Sequence, residues 1–324
     1  MKLRIHFTSD DVARTTVAAR PDDMWELTNS LHILQSPRPP SAYRPWLRHV
    51  RTRCAGRDLR ALVRYVSALV PHSGDFPDFL TPSGADSFAT SLDLIHATPA
   101  TRLRTELALH FRGHRTPPAW ARLLADGDRT ARQELREALA TYFHELLAPQ
   151  LPLIAETFHL ERAQHSRDLL EGGVERLLHT LPPSIRWTSP TLTADYPRDR
   201  DLHLRGRGIT LVPSFFCTKS PVTLINPGLP PVLVYPVARH PAPDAAPEGL
   251  TDLLGRTRAM VLRALHPPCS TGELAARTGV SIGTASKHAT VLRRAGLVSS
   301  TRRGCMMLHS LTPLGDELAR RPIR

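Results

Sequence analysis

Two helix signals three residues apart constrain this chain more than any other feature. In CSTGELAARTGV, Ser270 stands three residues before Glu273. That is the spacing of a capping box, in which hydroxyl and carboxylate satisfy backbone donors that a first helical turn leaves open. Gly279 is placed to end the helix, because glycine tolerates the left-handed conformation of a C-terminal cap. Ser281 then caps a second helix that runs to about Ala295, ahead of Gly296. Short helix, three-residue turn and longer helix form one supersecondary unit, and whatever surrounds it must be built to present it.

The geometry is that of a helix-turn-helix. Laid on a 3.6-residue wheel, 281–296 puts Ala285, Ala289 and Leu292 inward with His288 at the edge, and Gly283, Lys287, Thr290 and Arg294 outward. Thr284, Ser286 and Arg293 take the flanks. A face that begins with small and hydroxyl residues lets a helix backbone approach a ligand closely, and Lys287 can reach a guanine acceptor or a phosphate. A solvated amphipathic helix would carry Lys and Thr as well, so spacing alone does not decide between the two. The following segment, SSTRRGCMMLHSLT, reads as two alternating strands around Arg302, Arg303 and Gly304, a hairpin fit to reach a nucleic-acid backbone or minor groove. Upstream, LTDLLGRTRAMVLRAL reads as one helix with Leu253, Leu254, Met260 or Val261, and Leu265 on its apolar side, ended by Pro267 and Pro268.

Charge follows the same division. Residues 250–324 hold 12 of the 42 basic side chains against four of the 30 acidic ones, a net +8 out of +12 for the whole chain. Such concentration is the footprint of a nucleic-acid-binding module. The proline- and alanine-rich HPAPDAAPEG, 240–249, reads as a stiff linker, which divides the chain into residues 1–239, the linker, and residues 250–324. MKLRIHFTSDDV has no apolar run of signal-peptide type, and no stretch of 18 apolar residues occurs, so a cytoplasmic protein without membrane contact is expected. Cys54, Cys217, Cys269 and Cys305 form no CxxC pair, which suggests neither a disulfide framework nor a zinc ribbon.

The first 239 residues read as α+β, mostly helical with a small antiparallel sheet. KLRIHF alternates as a strand, and Ser9 or Asp10 is placed to cap a first helix. Pro21, Asp22 and Asp23 open a second through MWELTNSLHILQ. Helical periodicity recurs near 57–70, 87–96, 100–112, 129–147 and 152–180. From 184, IRW, TLTADY, LHL, GITLVPSFF and PPVLVYPVA read as short antiparallel strands, with GRGIT at 206–210 as a hairpin turn. Little here suggests catalysis. HELLA at 144–148 lacks the second histidine of a zincin, Glu156 and His159 have no matching second pair, and neither a GxSxG, a Walker loop nor a GxGxxG occurs. Trp25, Trp46, Trp120 and Trp187 are expected mainly in the core.

The order ELAARTGVSIGTASKHATVLRRAGLV, RRG, LTPLGDEL resembles the winged helix-turn-helix of ArsR-type bacterial repressors, over roughly residues 253–320. The matching core is Thr284, Ser286 and His288, followed by Leu311, Thr312 and Gly315. The resemblance implies a homodimer formed through terminal helices, on an imperfect palindrome of double-stranded DNA, with one such helix in each major groove. It places Ser281, Gly283, Thr284, Ser286, Lys287, Thr290, Arg294, Arg302 and Arg303 at the DNA. Two departures stand out. Metal-sensing members carry Cys-x-Cys where this chain has Ser270, Thr271 and Gly272, so neither metal nor cofactor is expected. Ala289 stands where leucine is usual. FTSDDVAR, MWELTNSL and LVPSFF resemble the long N-terminal regions of some regulators of this type, without any activity attached. The expected function is a transcriptional repressor whose N-terminal region senses an unidentified small molecule, and not an enzyme. The alternative is a small-molecule-binding protein or enzyme whose winged helix serves protein association only.

Overall fold

A computed structural model describes residues 1–72, 75–112, 117–218, 220–237, 249–303 and 306–320. The chain divides into two compact units, Met1–Arg239 and His240–Arg324. Most of the expected linker, 240–248, lies outside the described residues. Among the described residues no helix is long and apolar enough to cross a membrane.

The N-terminal unit opens with β1 (Lys2–His6), α1 (Ser9–Ala13) and β2 (Thr16–Val17). Then come α2 (Asp23–Leu34), α3 (Arg44–Arg53), α4 (Arg57–Ser67), α5 (Phe88–His96), α6 (Ala100–His110), α7 (Ala119–Ala125), α8 (Arg129–Tyr142) and α9 (Leu151–Thr180). The strands β3 (Ile185–Thr188), β4 (Thr191–Asp195), β5 (Arg200–His203), β6 (Thr210–Ser214) and β7 (Val232–Pro236) complete two sheets, ordered β3-β4-β1-β5 and β2-β6-β7. The mixed α+β class holds.

The antiparallel expectation holds for β3-β4-β1 and fails for the other strands. β1 pairs antiparallel with β4 but parallel with β5, and β2, β6 and β7 are mutually parallel. The N-terminal strand inserts between β4 and β5, so two segments that local sequence would join as a hairpin are kept apart by a strand nearly 200 residues away. For the same reason 206–210 is no hairpin turn, since β5 and β6 belong to different sheets. Arg205, Gly206 and Gly208 turn the chain there with positive φ, and the Gly208 N–H donates to Asp11 Oδ1 at 2.9 Å.

Local corrections have local causes. Thr8, rather than Ser9 or Asp10, caps α1: its hydroxyl accepts from Asp11 N at 3.2 Å while Asp11 Oδ2 accepts from Thr8 N at 2.8 Å. The period seen over 129–147 runs past α8 into a π-helical turn at Phe143–Leu147. Within α9, Gly172 and Gly173 leave helical geometry, and Gly173 takes φ 65°. Thr180 Oγ1 consequently donates to Asp168 Oδ2 at 2.9 Å, although twelve residues of straight helix would separate them by about 18 Å. α3 and α7 escaped the sequence reading. α3 buries only Trp46, Leu47 and Val50 among arginines, too few apolar positions for a clear period.

Two apolar clusters fill this unit. One is helical and centres on Tyr43, Trp46, Phe79, Tyr142 and Phe216; the other lies against the first sheet, with Leu3, Ile5, Trp187 and Leu192. Trp25, Trp46 and Trp187 are buried and Trp120 half-buried. Glu26 joins helix to sheet from within: its carboxylate accepts from Phe215 N at 2.7 Å, Phe216 N at 2.9 Å and Ser214 Oγ at 3.1 Å. Burial nevertheless pushes its pKa up to about 7.

The second unit contains α10 (Gly249–Leu254), α11 (Arg256–Ala264), β8 (Cys269–Ser270), α12 (Thr271–Thr278), α13 (Ile282–Arg294), β9 (Val298–Arg303), β10 (Met306–Leu311) and α14 (Pro313–Arg320). The single helix expected over 250–265 is broken at Gly255, whose φ of 80° no helix accommodates. Val261, Leu262, Leu265, Leu274, Ala285, Ala289, Leu292 and Leu297 form its core.

Candidate nucleic-acid interface

The turn that orients α13 is fixed by hydrogen bonds at both of its ends. Ser270 Oγ accepts from Glu273 N at 3.3 Å and Glu273 Oε2 accepts from Ser270 N at 2.7 Å, closing the capping box and holding the Glu273 carboxyl below its ordinary pKa. Gly279 ends α12 in the left-handed region, φ 67°. Ser281 then caps α13 by accepting from Thr284 N at 3.2 Å, and the two hydroxyls bond each other at 2.8 Å. Ser281 and Thr284 are thus partly occupied in building the helix start that was expected to meet DNA.

α13 rests on Ala285, Ala289 and Leu292, all buried. Ala289 belongs to the core that α13 shares with α11 and α12. On the other side Gly283, Ser286, Lys287 and Arg294 are exposed, whereas Thr290, expected outward, is half-buried, as are Thr284 and His288. A Cβ at Gly283 would meet nothing within 4 Å, so glycine there leaves open surface. Ile282 was missed by the sequence reading, yet it is 64% exposed on the first turn. The available signal was an apolar residue on the stripe 282–286–293, which no core position explains.

The hairpin expected after α13 is present, with antiparallel register from Val298 opposite Leu311 to Arg303 opposite Met306. β8 adds a third strand, Cys269 pairing with His309, which makes the sheet β8-β10-β9. Arg302 is exposed on it. The side chain of Arg303, and residues 304–305 with Cys305, fall outside the described residues. His309 fastens the hairpin to the helices: Nδ1 bonds Ser300 Oγ at 2.8 Å and Nε2 bonds Thr271 Oγ1 at 3.0 Å. Burial, with Arg293 nearby, lowers the pKa of this imidazole and favours its neutral form.

The Leu311-Thr312-Gly315 stretch locks the far end. Thr312 Oγ1 donates to Gly296 O at 2.7 Å and accepts from Gly315 N at 3.1 Å, and a Cβ at Gly315 would run into the Leu297 carbonyl. Basic groups surround this frame. Lys287, Arg293, Arg294 and Arg302 are exposed, as is Arg277, whose guanidinium is engaged by Ala264 O at 2.9 Å and Pro267 O at 2.7 Å. Cys269 is fully buried, which raises its thiol pKa and leaves it a core residue. Among the described residues no group of three or more His, Cys, Asp or Glu side chains is placed to hold a metal ion.

Residues 253–301 match the family described as Helix-turn-helix domain. Over 79 residues, 24% of this chain and 72% of the relative, the sequence is 37% identical to the HTH-type transcriptional regulator Rv2034 of Mycobacterium tuberculosis (strain ATCC 25618 / H37Rv). No solved structure matches the chain. With α12, its three-residue turn and α13 falling inside the matched stretch, the chain belongs to the helix-turn-helix transcriptional regulators.

Proposed function

We propose that this protein is a repressor of the ArsR type, without catalytic activity, which binds a palindromic operator as a homodimer in the cytoplasm and responds to a small molecule through its N-terminal unit. The observation that carries the reading is the exposed first half of α13, where Gly283, Ser286 and Lys287 stand open over a buried Ala285–Ala289–Leu292 seam. In this reading α13 enters the major groove by its N-terminus. Lys287 reaches base acceptors, Ser286 and Thr284 offer short hydrogen bonds, and Ser281 presents the helix start to a phosphate. Thr290 takes the edge of the groove. Arg294 lies about 16 Å along the helix from Gly283, so it neutralises backbone. Arg302 and Arg303 act from the hairpin in the same way.

Fluorescence anisotropy with the DNA upstream of the protein's own coding sequence tests the proposal. Affinity should fall steeply as salt rises, in proportion to the phosphates neutralised, and a scrambled duplex should bind far more weakly. Equal, salt-insensitive binding to both duplexes, or none, would reject it.

A further inference from the structure

A cavity of about 470 Å³ opens in the N-terminal unit between the C-terminal half of α2, the proline-rich run 37–40, and residues 196–198, 216–218 and 220–222. That volume lies within the range of about 300–1,000 Å³ typical of small-molecule sites. Its floor is apolar, with Ile33, Phe216 and Cys217 buried to 2, 1 and 3% exposure. Phe216 is held from behind, where Glu26 takes its N–H and Tyr43 stacks on its ring at 5.4 Å. Pro37, Pro40, Pro197 and Pro221 line the walls, and their fixed φ means the shape exists before anything enters.

Charged groups gather at the rim. His32 lines the cavity, and its Nε2 is buried without a hydrogen-bond partner among the described residues. Burial drops its pKa to about 4, so at neutral pH it offers a hydrogen bond and no charge. At the rim Arg198 is neutralised by Asp75. Arg38 on the same rim is exposed and has no carboxylate partner among the described residues. One uncommitted guanidinium suits one negative charge, and the Asp75 carboxylate opposes a second. Tyr196 and His72 on the cavity walls favour an aromatic ring by edge and offset contacts.

We infer that this cavity binds a planar aromatic monocarboxylate, its ring system between Tyr196 and His72 and its carboxylate at Arg38. Any consequence for DNA rests on the sensing role proposed above; the binding itself does not.

Titration calorimetry of the full chain with 2-naphthoate, and with 2-naphthamide as its neutral counterpart, tests the site. Naphthoate should bind once per chain with Kd below about 1 mM. Arg38→Gln should weaken the acid about tenfold and leave the amide within about twofold. Ser220→Trp, or Ser36→Trp should the first variant fail to fold, should fill the cavity and remove both ligands. Absence of saturable naphthoate binding, binding that survives a folded tryptophan variant, or equal loss of acid and amide in Arg38→Gln would overturn the inference. A ligand that binds as described but leaves operator affinity unchanged would instead overturn the sensing role and leave the site standing.

Discussion

Two glycines of the DNA-binding unit act in opposite ways. At Gly283 a methyl group meets open surface, so Gly283→Ala should stabilise the unit through better helix propensity by up to about 0.5–1 kcal/mol, read as a higher melting temperature. The same variant should weaken operator binding, because the groove would then meet a Cβ. At Gly315 a methyl group strikes the Leu297 carbonyl, and Gly315→Ala should cost about 1–3 kcal/mol of stability in a urea titration. A shift of stability in the same direction for both variants would contradict this packing. Lys287→Ala should weaken operator binding by about 1–3 kcal/mol and relax preference at one position per half-site, with the fold untouched. Unchanged affinity and unchanged sequence preference would remove Lys287 from the groove. Glu26 is a separate matter of protonation. Its folded pKa of about 7 stands above the ordinary carboxylate value, so the folded state holds the proton more tightly. Its contribution is present at low pH and is lost as pH rises from about 4.5 to 7, a change of up to about 3 kcal/mol. Glu26→Gln should therefore show less difference in stability between pH 5 and pH 8 than the parent; an identical pH dependence would count against the assignment.

At the scale of the element, the hairpin acts through charge and through its anchorage. Replacing Arg302 and Arg303 with alanine should lower affinity for any DNA sequence, and flatten the log-log salt dependence by about 0.9 for each phosphate no longer neutralised. Retention of the original slope on both specific and non-specific DNA would show that the hairpin is not a wing. The anchorage is His309, which spans from Ser300 on β9 to Thr271 at the start of α12. Its pairing was not legible in the sequence, since nothing local sets a histidine in β10 against a threonine 38 residues earlier. By contrast, the capping box, the Gly279 stop and the Ser281 cap are written within a short run of chain, and all appear as read.

For the whole molecule, the two units divide the proposed work. A fragment spanning residues 249–324 carries a core of its own and should still bind operator DNA, more weakly, while losing every response to effector. Regulation retained by that fragment would place sensing in the winged unit. A quadruple Cys→Ser variant of the full chain should keep the response, because Cys217 and Cys269 are buried and serve the core. Loss of a zinc or arsenite response in that variant would return thiolate sensing to consideration.

The sequence alone determined the caps of α12 and α13, the buried face of α13 and the β9–β10 hairpin, because those signals act over a few residues; the break at Gly255 and the addition of β8 to the sheet it did not. It also marked FTSDDVAR, MWELTNSL and LVPSFF, but not what joins them. Only the tertiary structure shows Asp11 of the first holding Gly208, and Glu26 of the second gripping Ser214, Phe215 and Phe216 of the third. The parallel strand pairs, the position of β1 between β4 and β5, and the cavity above Phe216 were settled in the same way. Local propensity specifies that a segment is a strand or a helix. Which distant segment lies beside it depends on packing that no window of sequence contains.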